Sequence, residues 1–268
     1  MILLRSALYN LYFWLVTAVM AIGSLPVRFL LIRFDPDAAL TYGKIWVRIL
    51  FAGLRPLAGI RIEVTGREHL PLAGPALIAS QHQSAFDTLV WLTLVPLPAY
   101  VLKRELLRLP FFGPMLRLAG QIPIDRAGGA AAIRGLLTDA SRALAASRQI
   151  IIFPEGTRMA PGTVGRLAPG IAALAIHTGL PVIPVITDSG RLWARRGFHR
   201  RPGTIRIVIH PPLAPGLPRQ TLLARLAEIY AAGPPATGVP ATGFVENSVE
   251  RFDAGFSDDR RNLFHSSD

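Results

Sequence analysis

Apolar residues run without a charge from Ala7 to Val27, a stretch of 21 residues reading ALYNLYFWLVTAVMAIGSLPV. About 20 apolar residues cross a bilayer core as a helix, so the pattern predicts an N-terminal membrane helix. Tyr9, Tyr12 and Trp14 toward its start suit a membrane interface, while Asn10 and Pro26 interrupt it. The length and the lack of a small-residue cleavage site argue against a signal peptide. The pattern then becomes amphipathic. Tyr42, Ile45, Trp46, Ile49, Leu50 and Leu54 recur at helical spacing, with Lys44, Arg48 and Arg55 between them. This predicts a basic helix lying on a membrane surface or packed on a core.

From about residue 58 the period alternates between strand and helix. IRIEVTG alternates apolar and polar positions, as a half-exposed strand does, whereas PALIAS and QIIIF hold the short apolar runs of buried strands. AYVLK, PVIPVIT and TIRIVIH read as further strands, and QIPIDR as extended chain. Between them DTLVWLTLV, PFFGPMLRLAG, AAIRGLLTDASRALAAS, APGIAALAIHTG and QTLLARLAEIYAAG carry helical spacing. The expectation is an α/β fold: a mixed, largely parallel sheet flanked by helices. Three segments follow: a helical anchor at 1–57, an α/β domain at 58–232, and a mobile tail at 233–268 that opens with PPATGVPATG.

Composition sharpens the membrane reading. Apolar residues make up 51% of the 268 and charged ones only 17%. Net charge is +12, carried by arginine, since Lys44 and Lys103 are the only lysines. The first 240 residues hold 26 basic against 11 acidic groups, a net of +15. Such a surface attracts anionic lipid, nucleic acid or a phosphorylated substrate. Basic residues are denser after the apolar segment (Arg28, Arg33, Lys44, Arg48) than before it (Arg5), which places a following domain on the cytoplasmic side if the segment spans. A hairpin dipping into one leaflet is the other topology. Without cysteine there is no disulfide, thiol nucleophile or cysteine-bound metal.

Three polar clusters follow the apolar runs, where α/β folds gather their sites. The first, SQHQSAFD, sets His82 five positions before Asp87 with Ser84 between. Residues five apart do not share a helix face, so a direct bond needs His82 in a turn and Asp87 in the first turn of a helix. The carboxylate would then orient the imidazole as a base. Ser84 reads as a helix cap or as a nucleophile, although the G-x-S-x-G elbow is missing; a capped loop without chemistry is the third reading. The second, FPEGTR, brackets Glu155 between Pro154 and Gly156 and presents Thr157 and Arg158, and arginine grips phosphate with paired hydrogen bonds. The third, IPIDR, offers Asp125 and Arg126, with Lys103 at the end of another strand. No His/Asp/Glu set has zinc spacing, and no glycine-rich nucleotide loop occurs.

Together the clusters resemble the glycerolipid acyltransferase family across roughly residues 60 to 215. His82 and Asp87 fit its H-x-x-x-x-D motif, Gly120, Ile122, Ile124, Asp125 and Arg126 its G-x-I-x-I-D-R motif, Phe153 to Arg158 its F-P-E-G-T-R motif, and Val182 to Val185 its V-I-P-V stretch. The resemblance implies acyl transfer from acyl-CoA or acyl carrier protein to the 2-hydroxyl of lysophosphatidate, with a sister acceptor such as glycerol 3-phosphate as the alternative. His82 is then the base oriented by Asp87, with Lys103, Arg126, Glu155, Gly156, Thr157 and Arg158 binding substrate. It implies no cofactor beyond the acyl donor, a membrane bilayer as partner and no nucleic acid. Where relatives carry lysine after the third motif, this chain has Ala168.

Overall fold

The computed structural model describes residues 1–125, 128–195 and 197–234. Arg126, an expected site residue, lies outside them, as does the expected tail from residue 235 onward. Seven strands form one sheet: β1 (Ile60–Thr65), β2 (Ala76–Ser80), β3 (Pro98–Lys103), β4 (Ile122–Ile124), β5 (Gln149–Ile152), β6 (Val182–Thr187) and β7 (Gly203–Ile209). Their order is β1-β7-β6-β2-β5-β3-β4. β6, β2, β5, β3 and β4 run parallel, β7 runs antiparallel to β6, and β1 pairs parallel with β7. The sheet is therefore mixed and largely parallel, as expected. One edge collects the carboxyl ends of the five parallel strands together with the starts of β1 and β7.

The residue pattern explains the layers. Every residue of β2 is buried, because a central parallel strand is covered on both faces. Successive residues face opposite layers: Ile78 joins a core with α1 (Ile2–Phe29), α2 (Ala38–Ala52) and α3 (Phe86–Leu94), while Leu77 and Ala79 join a second core with α5 (Gly129–Ala145), α6 (Gly170–Thr178) and α8 (Arg219–Ala232). β7 alternates as its sequence does, with Ile205, Ile207 and Ile209 buried. A short helix, α4 (Phe112–Leu118), precedes Gly120, whose φ of 66° ends it.

α1 and α2 form an antiparallel hairpin. Trp46 Nε1 donates to Thr17 Oγ1 at 3.2 Å, and the Tyr42 and Tyr12 hydroxyls reach the carbonyls of Met20 and Ile49. α1 is long and apolar enough to cross a membrane. Leu4, Leu8, Leu11, Leu15 and Val19 on its outer face are exposed. α2 has two faces: Val47 and Leu50 enter the core while Ile45 and Ile49 remain exposed. The hairpin belongs to one compact unit, Met1–Pro235, with the sheet.

The segment 187–203, rich in arginine, is in part structural. It opens with a four-residue helix, α7 (Ser189–Leu192), and buries Trp193. Tyr9 and Phe13 of α1 meet the Trp193 ring edge-on at 5.6 and 6.0 Å, and Arg200 lies over it at 4.5 Å. Ser6 exchanges hydrogen bonds with the Arg200 backbone, and the Asn10 amide donates to the Phe198 carbonyl at 2.9 Å. Trp193→Ala should cost about 3–5 kcal/mol, the usual loss for a buried aromatic. Denaturant unfolding in detergent measures this, and limited proteolysis should then release α1 earlier than in the wild type.

Candidate active site

The loop after β2 carries His82, and α3 begins at Phe86. Asp87 therefore sits in the first helical turn, where backbone amides and the helix dipole favour a carboxylate. Its Oδ2 accepts the Gln83 and Ser84 amides at 2.6 and 2.7 Å and lies 3.3 Å from His82 Nδ1. Its Oδ1 accepts the Ser189 hydroxyl at 2.6 Å. The carboxylate is thus fully partnered although only 2% exposed. Its contact with Nδ1 selects the Nδ1–H tautomer and leaves the Nε2 lone pair free. The His82 side chain is 12% exposed and Asp87 only 2%, so the imidazole reaches the surface and the carboxylate does not. Phe153 stacks on the imidazole with centroids 4.3 Å apart.

Ser84 is not placed as a nucleophile. It is fully buried, and its Oγ accepts the Phe86 amide at 3.1 Å, which satisfies the first helical N–H.

The loop after β5 closes on the same place. The Phe153 carbonyl accepts the Gly156 amide at 3.0 Å, and Gly156 takes the left-handed φ of 67° that such a turn requires. This folds Glu155 inward to 7% exposure. Its Oε2 accepts the His82 amide at 2.8 Å, while the His82 carbonyl accepts the Met159 amide at 2.7 Å. The two motifs are thus laced together through the backbone of His82. The resemblance implies that Glu155 binds substrate; the structure turns its Oε2 onto the His82 amide. Burial pushes its carboxyl up to about 7, against the pull of the His82 and Gly165 amides, with the charge of Asp87 adding to the rise.

Arg158 is half-buried and makes no ion pair among the described residues. Desolvation lowers its pKa, and Arg195 beside it acts the same way, while Asp87 opposes both. Arginine remains charged under such shifts. Arg195 Nη1 also holds the Arg158 carbonyl at 3.2 Å. Thr157 is exposed in the same loop. Lys103, exposed at the end of β3, stands two strand spacings from β2, roughly 10 Å along the same sheet edge. The structure therefore unites His82, Asp87 and Glu155, sets Gly156, Thr157 and Arg158 on the adjoining turn, and leaves Lys103 at the flank.

Ser189 and Gln83 belong to this cluster, and the sequence did not single them out. Gln83 donates to the Thr187 carbonyl at 2.7 Å and accepts the Gly190 amide at 3.2 Å, tying the histidine loop to β6 and α7. The available signal was TDSG directly after the VIPVI strand, a polar turn at the strand end where sites gather. Among the described residues no three His, Asp or Glu side chains converge as metal donors.

Comparison with known proteins gives concordant relatives. Residues 61–188 match the Acyltransferase family model. A 1-acyl-sn-glycerol-3-phosphate acyltransferase of Pseudomonas aeruginosa is 40% identical over 168 residues, covering 63% of this chain and 65% of that one. One from Limnanthes alba is 32% identical over 180 residues, covering 66% and 63%. The mouse alpha form is 32% identical over 173 residues, covering 63% and 60%. The chain thus spans less than two thirds of the length of these curated relatives. The crystal structure of a 1-acyl-sn-glycerophosphate acyltransferase from Thermotoga maritima shares the fold, with a TM-score of 0.71 at 24% identity over 87% of this chain and 95% of that one.

The buried Glu155 makes a stability test. Its folded-state pKa, about 7, lies above the ordinary glutamate value of 4.5. Between those values the native carboxyl holds a proton that the unfolded chain has released, so stability falls as pH rises through that window. Glu155→Gln should flatten this slope, as read from denaturant midpoints across the window; an unchanged slope would discount the buried carboxyl as its source.

Proposed function

We propose, from the match of residues 61–188 to the Acyltransferase family model, that the chain belongs to that family and acylates the 2-hydroxyl of 1-acyl-sn-glycerol-3-phosphate to give phosphatidic acid. The acyl donor is a thioester, acyl-CoA or acyl carrier protein. The observation that carries the reading is the His82–Asp87 contact of 3.3 Å, with Asp87 buried and the histidine at the surface.

Chemistry follows from that pair. His82 Nε2 takes the hydroxyl proton as the oxygen attacks the thioester carbonyl, forming a C–O bond and a tetrahedral oxyanion. Asp87 stabilises the imidazolium that forms. The intermediate collapses by breaking the C–S bond, and the thiolate leaves with the proton returned by His82. No residue is acylated, which agrees with a Ser84 committed to the start of α3. Arg158, on the turn beside His82, supplies a charged fork for the acceptor phosphate, with the Gly156 and Thr157 segment shaping that side. Lys103 is assigned to the flank of the same phosphate site, and Arg126 to phosphate binding on the motif resemblance alone. Glu155 acts through the backbone, holding the His82 amide, and Ser189 holds Asp87 from the opposite side. The reaction needs no cofactor beyond the donor.

We also read the α1–α2 hairpin as the membrane anchor, with the sheet on the cytoplasmic side. α1 docks on residues 198–200 near its start, and α2 binds the domain through the Asp37–Arg148 ion pair at 3.2 Å. Contacts at both ends support a hairpin laid along the domain and seated in one leaflet.

His82→Ala should lower kcat/KM about 10²–10⁴-fold in an assay with labelled acyl-CoA and lysophosphatidate, while the protein still partitions into membranes. Wild-type rates would sink the base assignment. Arg158→Ala should chiefly raise KM for lysophosphatidate, since it removes binding common to ground and transition states; a fall confined to kcat would argue against a phosphate clamp.

A further inference from the structure

A crevice of about 320 Å³ opens at the starts of β1 and β7, lined by Arg5, Arg55, Gly59, Arg61, Gly203 and Thr204. Among the described residues no acidic side chain lines it. The three guanidinium groups arrive from different elements: Arg5 from α1, Arg55 from the π turn Leu54–Ala58, and Arg61 from β1. None forms an ion pair among the described residues. Like charges gathered from three elements repel each other, so the arrangement asks for an anion. Gly59 makes the approach feasible. Its φ is 71°, and a Cβ there would stand 2.5 Å from Arg5 Nη1, so only glycine lets that guanidinium lie against the chain.

The crevice is separate from the catalytic cluster. β1 is three strand spacings from β2, roughly 14 Å along the same edge of the sheet. Its neighbours identify the ligand class. Arg5 sits on α1 between Leu4 and Leu8, which are 66% and 45% exposed. A phosphate held by the arginines therefore lies where an exposed apolar helix face meets the polar domain, the division a phospholipid itself has. We infer that this crevice holds the phosphate of an anionic membrane phospholipid, whose acyl chains run along the outer leucines of α1. The site rests on the membrane reading of α1 and not on acyl transfer.

The test uses the full chain in neutral detergent, titrated with dihexanoyl phosphatidylglycerol and with dihexanoyl phosphatidylcholine. Phosphorus NMR line broadening reads the binding. The wild type should prefer the anionic lipid, and salt should weaken that preference. Arg5→Gln, Arg55→Gln and Arg61→Gln should each lower affinity for phosphatidylglycerol about fivefold, and the triple variant should lose the preference. Arg134→Gln, an exposed site on α5 across the sheet, is the control. Equal binding of the two lipids by the wild type, or an intact preference in the triple variant, overturns the inference. So does an equal loss in the control, which would reduce the effect to net charge. A raised KM for acyl-CoA in the triple variant with an intact lipid preference also overturns it and gives the crevice to the donor's phosphates. A wild type inactive in acyl transfer would refute the acyltransferase reading alone, since the titration does not depend on turnover.

Discussion

The burial of one carboxylate organises the reacting end of this molecule. An ionised Asp87 at 2% exposure is tolerable only with hydrogen bonds to its oxygens. The loop after β2 must fold back to supply two amides, and α7 must bring Ser189 from the end of β6. Satisfying that charge fixes the turn, the start of α3 and the place of His82 together. The orientation of the base follows from the solution to a solvation problem.

Glu155 poses the opposite case. It is buried with one oxygen on the His82 amide, while its Oε1 has no hydrogen-bond partner among the described residues. Burial raises its pKa because the charged form is only partly satisfied. The two carboxyls are thus held differently, Asp87 with both oxygens partnered and Glu155 as a brace on the His82 backbone.

Much of this was readable from residue order. The five-residue gap between His82 and Asp87 demanded a turn-to-helix junction, and the structure has one. PALIAS and QIIIF carry unbroken apolar runs because β2 and β5 are central strands covered on both faces. Trp193 misled for a physical reason: a tryptophan amid arginines reads as surface, and its burial depends on Tyr9 and Phe13, some 180 residues earlier in the chain. Ser189 was invisible for a similar reason. A serine in a polar turn is common, and only the fold brings it to Asp87, 102 positions away. The helix period of α2 was plain, but period alone does not say which face meets protein; here Val47 and Leu50 do, while Ile45 and Ile49 remain exposed.

The docking of α1 on residues 198–200 has a geometric consequence. Hydrogen bonds from Ser6 and Asn10 fix the rotation and height of the helix against the loop that follows α7, and Ser189 of α7 touches Asp87. Hydrogen bonds thus connect the apolar helix to the loop after α7, and α7 to the carboxylate beside His82. On the proposed reading, with α1 seated in a membrane, that connection acts as a depth gauge that sets the distance of His82 from the lipid surface. An acceptor of fixed headgroup length would then meet the base at one level, and lipids with longer or bulkier headgroups would carry their hydroxyls past it.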